Sequence, residues 1–158
     1  MFARAFAKAL AGSAEFAVDL AYRNKIADAL LFGGFTKVDT TAEVWTLAPR
    51  VRVGYSAFGV DNSLVAGIDW EQWDYASTVT GPAQVQADQD IRAVYAQHST
   101  EFPTATRLTL GARAQQVAYD ARDAASNAPY ARGTQDLEVK AYELALRQGL
   151  PRDWAVYG

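Results

Sequence analysis

The chain has no cysteine and a single histidine among its 158 residues. The first absence excludes disulfide scaffolds, thiol nucleophiles and cysteine-bound zinc. The second excludes His-rich metal centres and leaves any Ser-His-Asp triad one histidine to draw on. Charged residues make up only 21%, and the formal net charge is −3. That balance gives no reason to expect nucleic acid as a partner. No run in the sequence approaches the ~18 consecutive apolar residues of a membrane helix, so a helical membrane protein is excluded. No Gly-x-Ser-x-Gly occurs, and neither Gly33-Gly34 nor Gly111 stands in a phosphate-cradling motif with a suitably spaced lysine. What the chain does have is apolar bulk, 50% hydrophobic and 12% aromatic. That is too much for a disordered chain, and the length suits one domain.

Alternation with a period of two dominates from Ala14 onward. Phe16, Val18, Leu20 and Tyr22 alternate with Glu15, Ala17, Asp19 and Ala21. Trp45, Leu47, Val51 and Val53 share a face opposite Thr46, Ala48, Arg50 and Arg52. Pro49 sits on that apolar face, where it removes one ladder donor. Leu64, Ala66, Ile68 and Trp70 alternate with Val65, Gly67, Asp69 and Glu71, and Ile91, Ala93 and Tyr95 share one face of the next segment. Leu108, Leu110 and Ala112 alternate with Thr109, Gly111 and Arg113. In the segment Thr134 to Gly149, Leu137 and Val139 are out of phase with Tyr142, Leu144 and Leu146, which predicts a bulge or a helical turn near Ala141. Short connections are expected near Pro103 and Pro151, longer ones over Ser77–Asp88 and Asp120–Gly133, and an intermediate loop over Ser56–Ser63. Met1 to Ser13 carries Arg4 and Lys8 where a signal peptide would be apolar. It is expected to be an irregular or short helical start, with an amphipathic helix or an extended segment over Phe2 to Leu10.

Each strand thus has one oily and one charged face. A soluble sandwich alternates in this way. So does an outer-membrane barrel, whose strands meet hydrocarbon on one side and a wet lumen on the other. Trp45, Trp70, Trp73, Tyr22, Tyr55, Tyr75, Tyr95, Tyr142 and Trp154 fall near segment ends, where a barrel gathers its aromatic belts. Pattern alone leaves both architectures open.

Particular words in the sequence are more specific. Trp45-Thr46-Leu47-Ala48-Pro49-Arg50, then Gly67-Ile68-Asp69-Trp70 with Trp73-Asp74-Tyr75, resemble successive strands of TonB-dependent outer-membrane receptors. Ala93-Val94-Tyr95-Ala96-Gln97, followed by Leu108-Thr109-Leu110-Gly111-Ala112-Arg113, is similar to a strand pair that recurs in the same family. Tyr142-Glu143-Leu144-Ala145-Leu146-Arg147 and Trp154-Ala155-Val156-Tyr157-Gly158 resemble the strands that follow. The resemblance implies an all-β antiparallel meander of about seven strands, part of a larger transmembrane β-barrel of ~22 strands, covering residues 14–158. It implies residence in the cell outer membrane and uptake of a scarce nutrient, most commonly a ferric siderophore, sometimes haem or cobalamin. The implied partners are membrane lipid, that nutrient and, through a plug, the TonB complex. Neither a plug nor a TonB-contacting segment precedes Ala14, and the last residues do not match the aromatic close of such barrels. The expectation is therefore a piece of a receptor covering middle barrel strands. A complete small barrel of about eight strands and a soluble β binding domain are the alternatives.

No catalytic, cofactor-binding or metal site is expected, and the chain is read as no enzyme. His98 as a haem or metal ligand is set against a lumen-facing or turn histidine, and the latter is expected. Asp88, Asp90, Asp120 and Asp123 lack the EF-hand spacing of a calcium loop and read as solvated acids. Asp69 and Glu71 could pair as catalytic carboxylates, but arginines on the same face point to ion pairs instead. An open sheet of this size has two unpaired edges, which hydrocarbon does not tolerate. The 158-residue chain by itself should therefore show no cooperative, heat-resistant β signal in detergent micelles. Circular dichroism on heating checks this, and a sharp melt at high temperature would contradict it.

Overall fold

A computed structural model describes residues 1–34, 36–79, 84–123, 132–150 and 154–158. They form one antiparallel sheet of eight strands in strict sequence order. The strands are β1 (Phe2–Ala11), β2 (Ala14–Leu31), β3 (Thr36–Ala57), β4 (Val60–Val79), β5 (Gln84–Glu101), β6 (Thr106–Asp123), β7 (Arg132–Gly149) and β8 (Ala155–Tyr157). One short 3-10 turn, Phe32–Gly34, is the only helical element among the described residues. The all-β meander expected from the sequence is the fold observed, with one strand more. The extra strand is β1, where an irregular or helical start was expected. β1 and β8 do not touch, so the sheet is not closed on itself into an eight-stranded barrel.

The ladders explain the two faces. Residues that pair across neighbouring strands point to the same side. Phe16 pairs with Val51, Leu20 with Leu47 and Tyr22 with Trp45. Val53 pairs with Leu64, Val94 with Ala114, and Leu110 with Leu144. These make a continuous oily face. The opposite face collects Glu15, Asp19, Arg50, Arg52, Asp69, Arg113, Glu143 and Arg147. Ile91, Ala93 and Tyr95 lie on this charged face, since Tyr95 pairs with Gly67 and Arg113. β1 inverts the size pattern. Its oily side is a row of alanines, and Phe2, Phe6 and Leu10 stand beside Arg4 and Lys8 on the charged side.

Three local expectations are corrected. The ladder between β6 and β7 runs unbroken through Arg113↔Ala141, so neither a bulge nor a helical turn interrupts β7. Ser56–Ser63 is no loop; it is the tight hairpin between β3 and β4, with Ala57 paired to Val60. Most of Ser77–Asp88 is strand, because β4 runs to Val79 and β5 starts at Gln84. The turn residues Gly81-Pro82, the middle of the Asp120–Gly133 loop and Pro151-Arg152-Asp153 lie outside the described residues. Pro49 is accommodated within β3. Its ladder to β2 holds through Val18, whereas the ladder to β4 skips from Leu47↔Trp70 to Arg50↔Gly67 and resumes in the same register.

The sheet encloses no apolar core. The six buried residues among those described are Ala17, Val44, Ser77, Ala87, Ala93 and Ser99, and register places all six on the charged face. On the oily face Ile68 is 51% exposed, Leu144 72% and Tyr142 81%. Long polar and aromatic side chains cover the small ones beneath them. The hydroxyl end of Tyr95 lies over Gly67, where an added Cβ would come within 2.5 Å of that hydroxyl and 2.9 Å of the Pro49 carbonyl oxygen. An aromatic ring over a strand glycine is a known device for fixing register. Gly67→Ala should therefore destabilise the folded sheet by about 1–3 kcal/mol. Urea unfolding of the lipid-reconstituted full-length protein measures this. Pairing Gly67→Ala with Tyr95→Ala should recover part of the loss.

Candidate functional site

The charged face carries ion pairs that tie strands together. Arg4 pairs with Asp19, and Lys8 with Glu15 at 2.8 Å. Arg113 Nη1 reaches Asp69 at 2.5 Å, from β6 over β5 to β4, while its other nitrogens donate to Gln115. Ala93, 2% exposed, lies on the strand this pair crosses. Gln97 on β5 donates to Glu143 on β7 at 3.0 Å, across Gly111. Asp69 is thus held by Arg113 as an ion pair. Further along the same face, Trp73 and Tyr75 stack with ring centres 5.6 Å apart. Gln89 on β5 stands beside Trp73 and pairs on its other side with Tyr119 of β6. Trp73, Tyr75, Gln89 and Tyr119 form an aromatic shelf near the end of the sheet away from the tight hairpins. Trp73 and Tyr75, expected among belt aromatics, lie by parity on the charged face instead.

The oily face has a measurable height. Tyr22 and Trp45 pack with ring centres 4.5 Å apart, and Trp70 stands one strand further on. Beyond them the same face turns polar, with Asn24, Glu43, Asp74 and Asp90. On β7 the boundary falls at Tyr142, which the ladders carry through Ala112, Ala96, Ala66 and Val51 to Phe16, six residues short of Tyr22. A slip of six residues over five strand steps, at ~3.3 Å per residue and ~4.8 Å per strand, tilts the strands about 40° to the normal of that boundary. Tyr55 and Trp45 bracket the oily stretch of β3, ten residues apart. At this tilt they span about 25 Å of height. Both values match outer-membrane barrels, which tilt ~35–45° and carry an apolar band ~25 Å tall.

The candidates singled out in the sequence fall apart as sites. His98 lies on the oily face, between Leu64 and Leu110, rather than facing a lumen. Its Nε2 is 3.1 Å from the Tyr55 hydroxyl, at the hairpin end of the band. Asp88 stands directly opposite Asp120, with Arg122 3.9 Å from Asp88 and the Thr134 hydroxyl donating to Asp120. Asp90 is held by Arg92 at 2.6 Å and by the Trp70 indole at 2.9 Å. Asp123 pairs through its backbone with Val85; its side chain lies outside the described set. Among the described residues no group of three His, Asp or Glu side chains could hold a metal ion.

No protein-family model matches the chain. No curated protein matches it either. Solved structures do. The siderophore receptor PiuA from Acinetobacter baumannii superposes with a TM-score of 0.78 at 10% identity, over 99% of this chain and 31% of that one. The ferric-catecholate import receptor Fiu from E. coli K12, in its closed form, gives 0.76 at 9% identity, over 99% and 31%. The unliganded ferric citrate transporter FecA gives 0.72 at 12% identity, over 99% and 26%. The chain has the fold of the TonB-dependent receptor barrel wall. It spans between a quarter and a third of the length of these receptors.

Proposed function

We propose that these strands form part of the barrel wall of an outer-membrane receptor that imports a ferric siderophore. The observation that carries the reading is the oily face: a band about 25 Å tall, bounded by Trp45 and Tyr55, on strands tilted about 40°. The likeness to PiuA, Fiu and FecA supports the siderophore as cargo. In this reading the oily face meets lipid and the charged face lines a water-filled lumen. The tight hairpins lie on the periplasmic side and the long polar strand ends reach outside. The remaining strands close the barrel along β1 and β8, and a plug couples it to TonB. Trp73, Tyr75 and Tyr119 then offer flat faces to an arriving chelate from the lumen wall, and Gln89 a polar group. The protein moves its cargo and performs no chemistry on it.

Two measurements test this. In the full-length protein, Val51→Lys puts a charge at mid-band and should cost ~2–4 kcal/mol of stability in lipid bilayers, whereas Ala48→Lys, on the charged face opposite Asp19, should cost less than ~1 kcal/mol. Equal costs would remove the lipid assignment. Trp73→Ala with Tyr119→Ala should weaken ferric siderophore binding about tenfold or more, read by fluorescence quenching. Unaltered binding would clear the shelf of any role.

A further inference from the structure

Past the edge of the oily band the two faces exchange character. Beyond Trp70 and Tyr142 the oily face carries Asp74, Asp90, Glu138 and Asp136. The face that is charged within the band turns apolar there. On that face no charged side chain stands between Val85 and Ile91 on β5, Gln115 and Ala121 on β6, or Gly133 and Ala141 on β7. Trp73 and Tyr75 lie three and five residues past Trp70, and Val139 and Leu137 three and five residues past Tyr142. On strands tilted about 40°, Trp73 and Val139 therefore stand about 8 Å beyond the band, and Tyr75 and Leu137 about 13 Å. Between these ends the lower level meets β5 at Ile91 and β6 at Val117, and the upper level meets Gln89 and Tyr119. The lower tier from Trp73 to Val139 is about 19 Å long, at ~4.8 Å per strand across the tilt.

This wall has an aromatic half, Trp73, Tyr75 and Tyr119, and an aliphatic half, Ile91, Val117, Val139 and Leu137. Leu137 and Val139 are 47% and 51% exposed. Lipid does not account for them, because the oily band lies on the other face and ends below them. An exposed apolar patch of this kind marks a binding surface. Among the described side chains, the charged groups of this face at these heights are Arg23, Lys25 and Glu71. Arg23 pairs through Val44 with Trp73, and Lys25 through Ala42 with Tyr75. Neither cation makes an ion pair among the described residues. Charge is thus confined to the aromatic side of the wall.

We propose that the imported chelate is an amphiphile. Its iron-bearing head rests on Trp73, Tyr75 and Tyr119, on the side of Arg23 and Lys25, and an alkyl chain runs along Ile91, Val117, Val139 and Leu137. Aromatic faces suit a flat chelating group, and aliphatic side chains suit a saturated chain. A compact hydrophilic chelate would cover the aromatic half and leave Leu137 and Val139 to water. The position of the cations sets the direction: the anionic end points toward β2 and the chain toward β7. The proposal rests on the siderophore reading above and narrows its cargo.

The test uses the full-length receptor in lipid nanodiscs, with fluorescence quenching as the readout. The probes are ferric hydroxamate and ferric catecholate siderophores, each with a chain of about twelve carbons and with acetyl in its place. For a head group that binds, the long-chain form should bind about tenfold or more tighter than the acetyl form. Val117→Asp with Val139→Asp should remove that advantage and leave the acetyl form at its wild-type affinity, which also shows that the variant is folded. Val139→Thr, a near-isosteric change, should cut the advantage about threefold. Equal affinities of the two forms for the wild type would overturn the proposal. So would an advantage that survives in both variants, or an equal loss for both forms in a folded variant. Each of these leaves the receptor reading intact. Binding of no ferric chelate by the folded receptor would remove both.

Discussion

Hydrogen bonding between adjacent strands is the interaction on which everything else in this molecule depends. The described residues enclose no packed interior. The strands satisfy one another's backbone groups in long antiparallel ladders, from Phe2↔Arg23 at one edge to Gly149↔Ala155 at the other. A soluble domain adds apolar burial to such ladders and uses it to offset chain entropy. Here many of the large apolar side chains, from Phe16 and Leu20 to Leu110 and Leu144, stand on a face that no other described element covers. An oily sheet with two open edges is an aggregation hazard in water. In a closed barrel within a bilayer the same features become requirements: hydrocarbon covers the oily face, and closure removes the edges.

The opposite face is organised on a different principle. Small residues sit under long ones, and the long ones reach over a neighbouring strand to a partner two strands away. Arg113 to Asp69 and Gln97 to Glu143 both do this. Each bridge fixes three strands in register with one side-chain contact, and each passes over a residue without bulk, Ala93 or Gly111. Cross-strand hydroxyl pairs, Ser99 with Thr109 and Thr40 with Ser77, add to this. The Arg113–Asp69 pair remains partly exposed, so it contributes little energy by itself. The effect of these contacts is on shape. They hold side chains flat against the sheet.

How much was legible in the sequence differs strand by strand, for physical reasons. The strands with Trp45, Leu64 and Leu110 alternate cleanly because both their faces contrast over the full width of the oily band. β1 leaves a helix and an extended segment both open in the sequence because its alternation is between alanine and large residues of mixed character, Phe6 beside Lys8, and no polarity contrast marks it. The hairpin at Ala57–Val60 read as a loop because its turn residues, Phe58 and Gly59, combine with polar neighbours. Phe58 adopts φ 56, a conformation that composition does not signal for phenylalanine. His98, expected to face a lumen or a turn, lies on the oily face because it shares parity with Val94 and Ala96, near the hairpin end of β5. The aromatic shelf was invisible as a shelf, since Trp73 and Tyr119 are 46 residues apart and meet only through Gln89.

One geometric quantity accounts for the remaining discrepancy. β7 reads as out of phase because a tilted strand is oily along only part of its length. Strands tilted about 40° cross the apolar band obliquely. The band therefore ends at a different ladder row on each strand, early on β7 and late on β3. Beyond Tyr142 the face that was oily becomes polar, with Lys140, Glu138 and Asp136. Leu137 and Val139 then dominate the pattern from the other side. A change of phase in the sequence without a change of register in the ladder marks where a strand leaves the apolar band. The tilt, read from where aromatics stop, thus determines which residues of each strand fall within the apolar band.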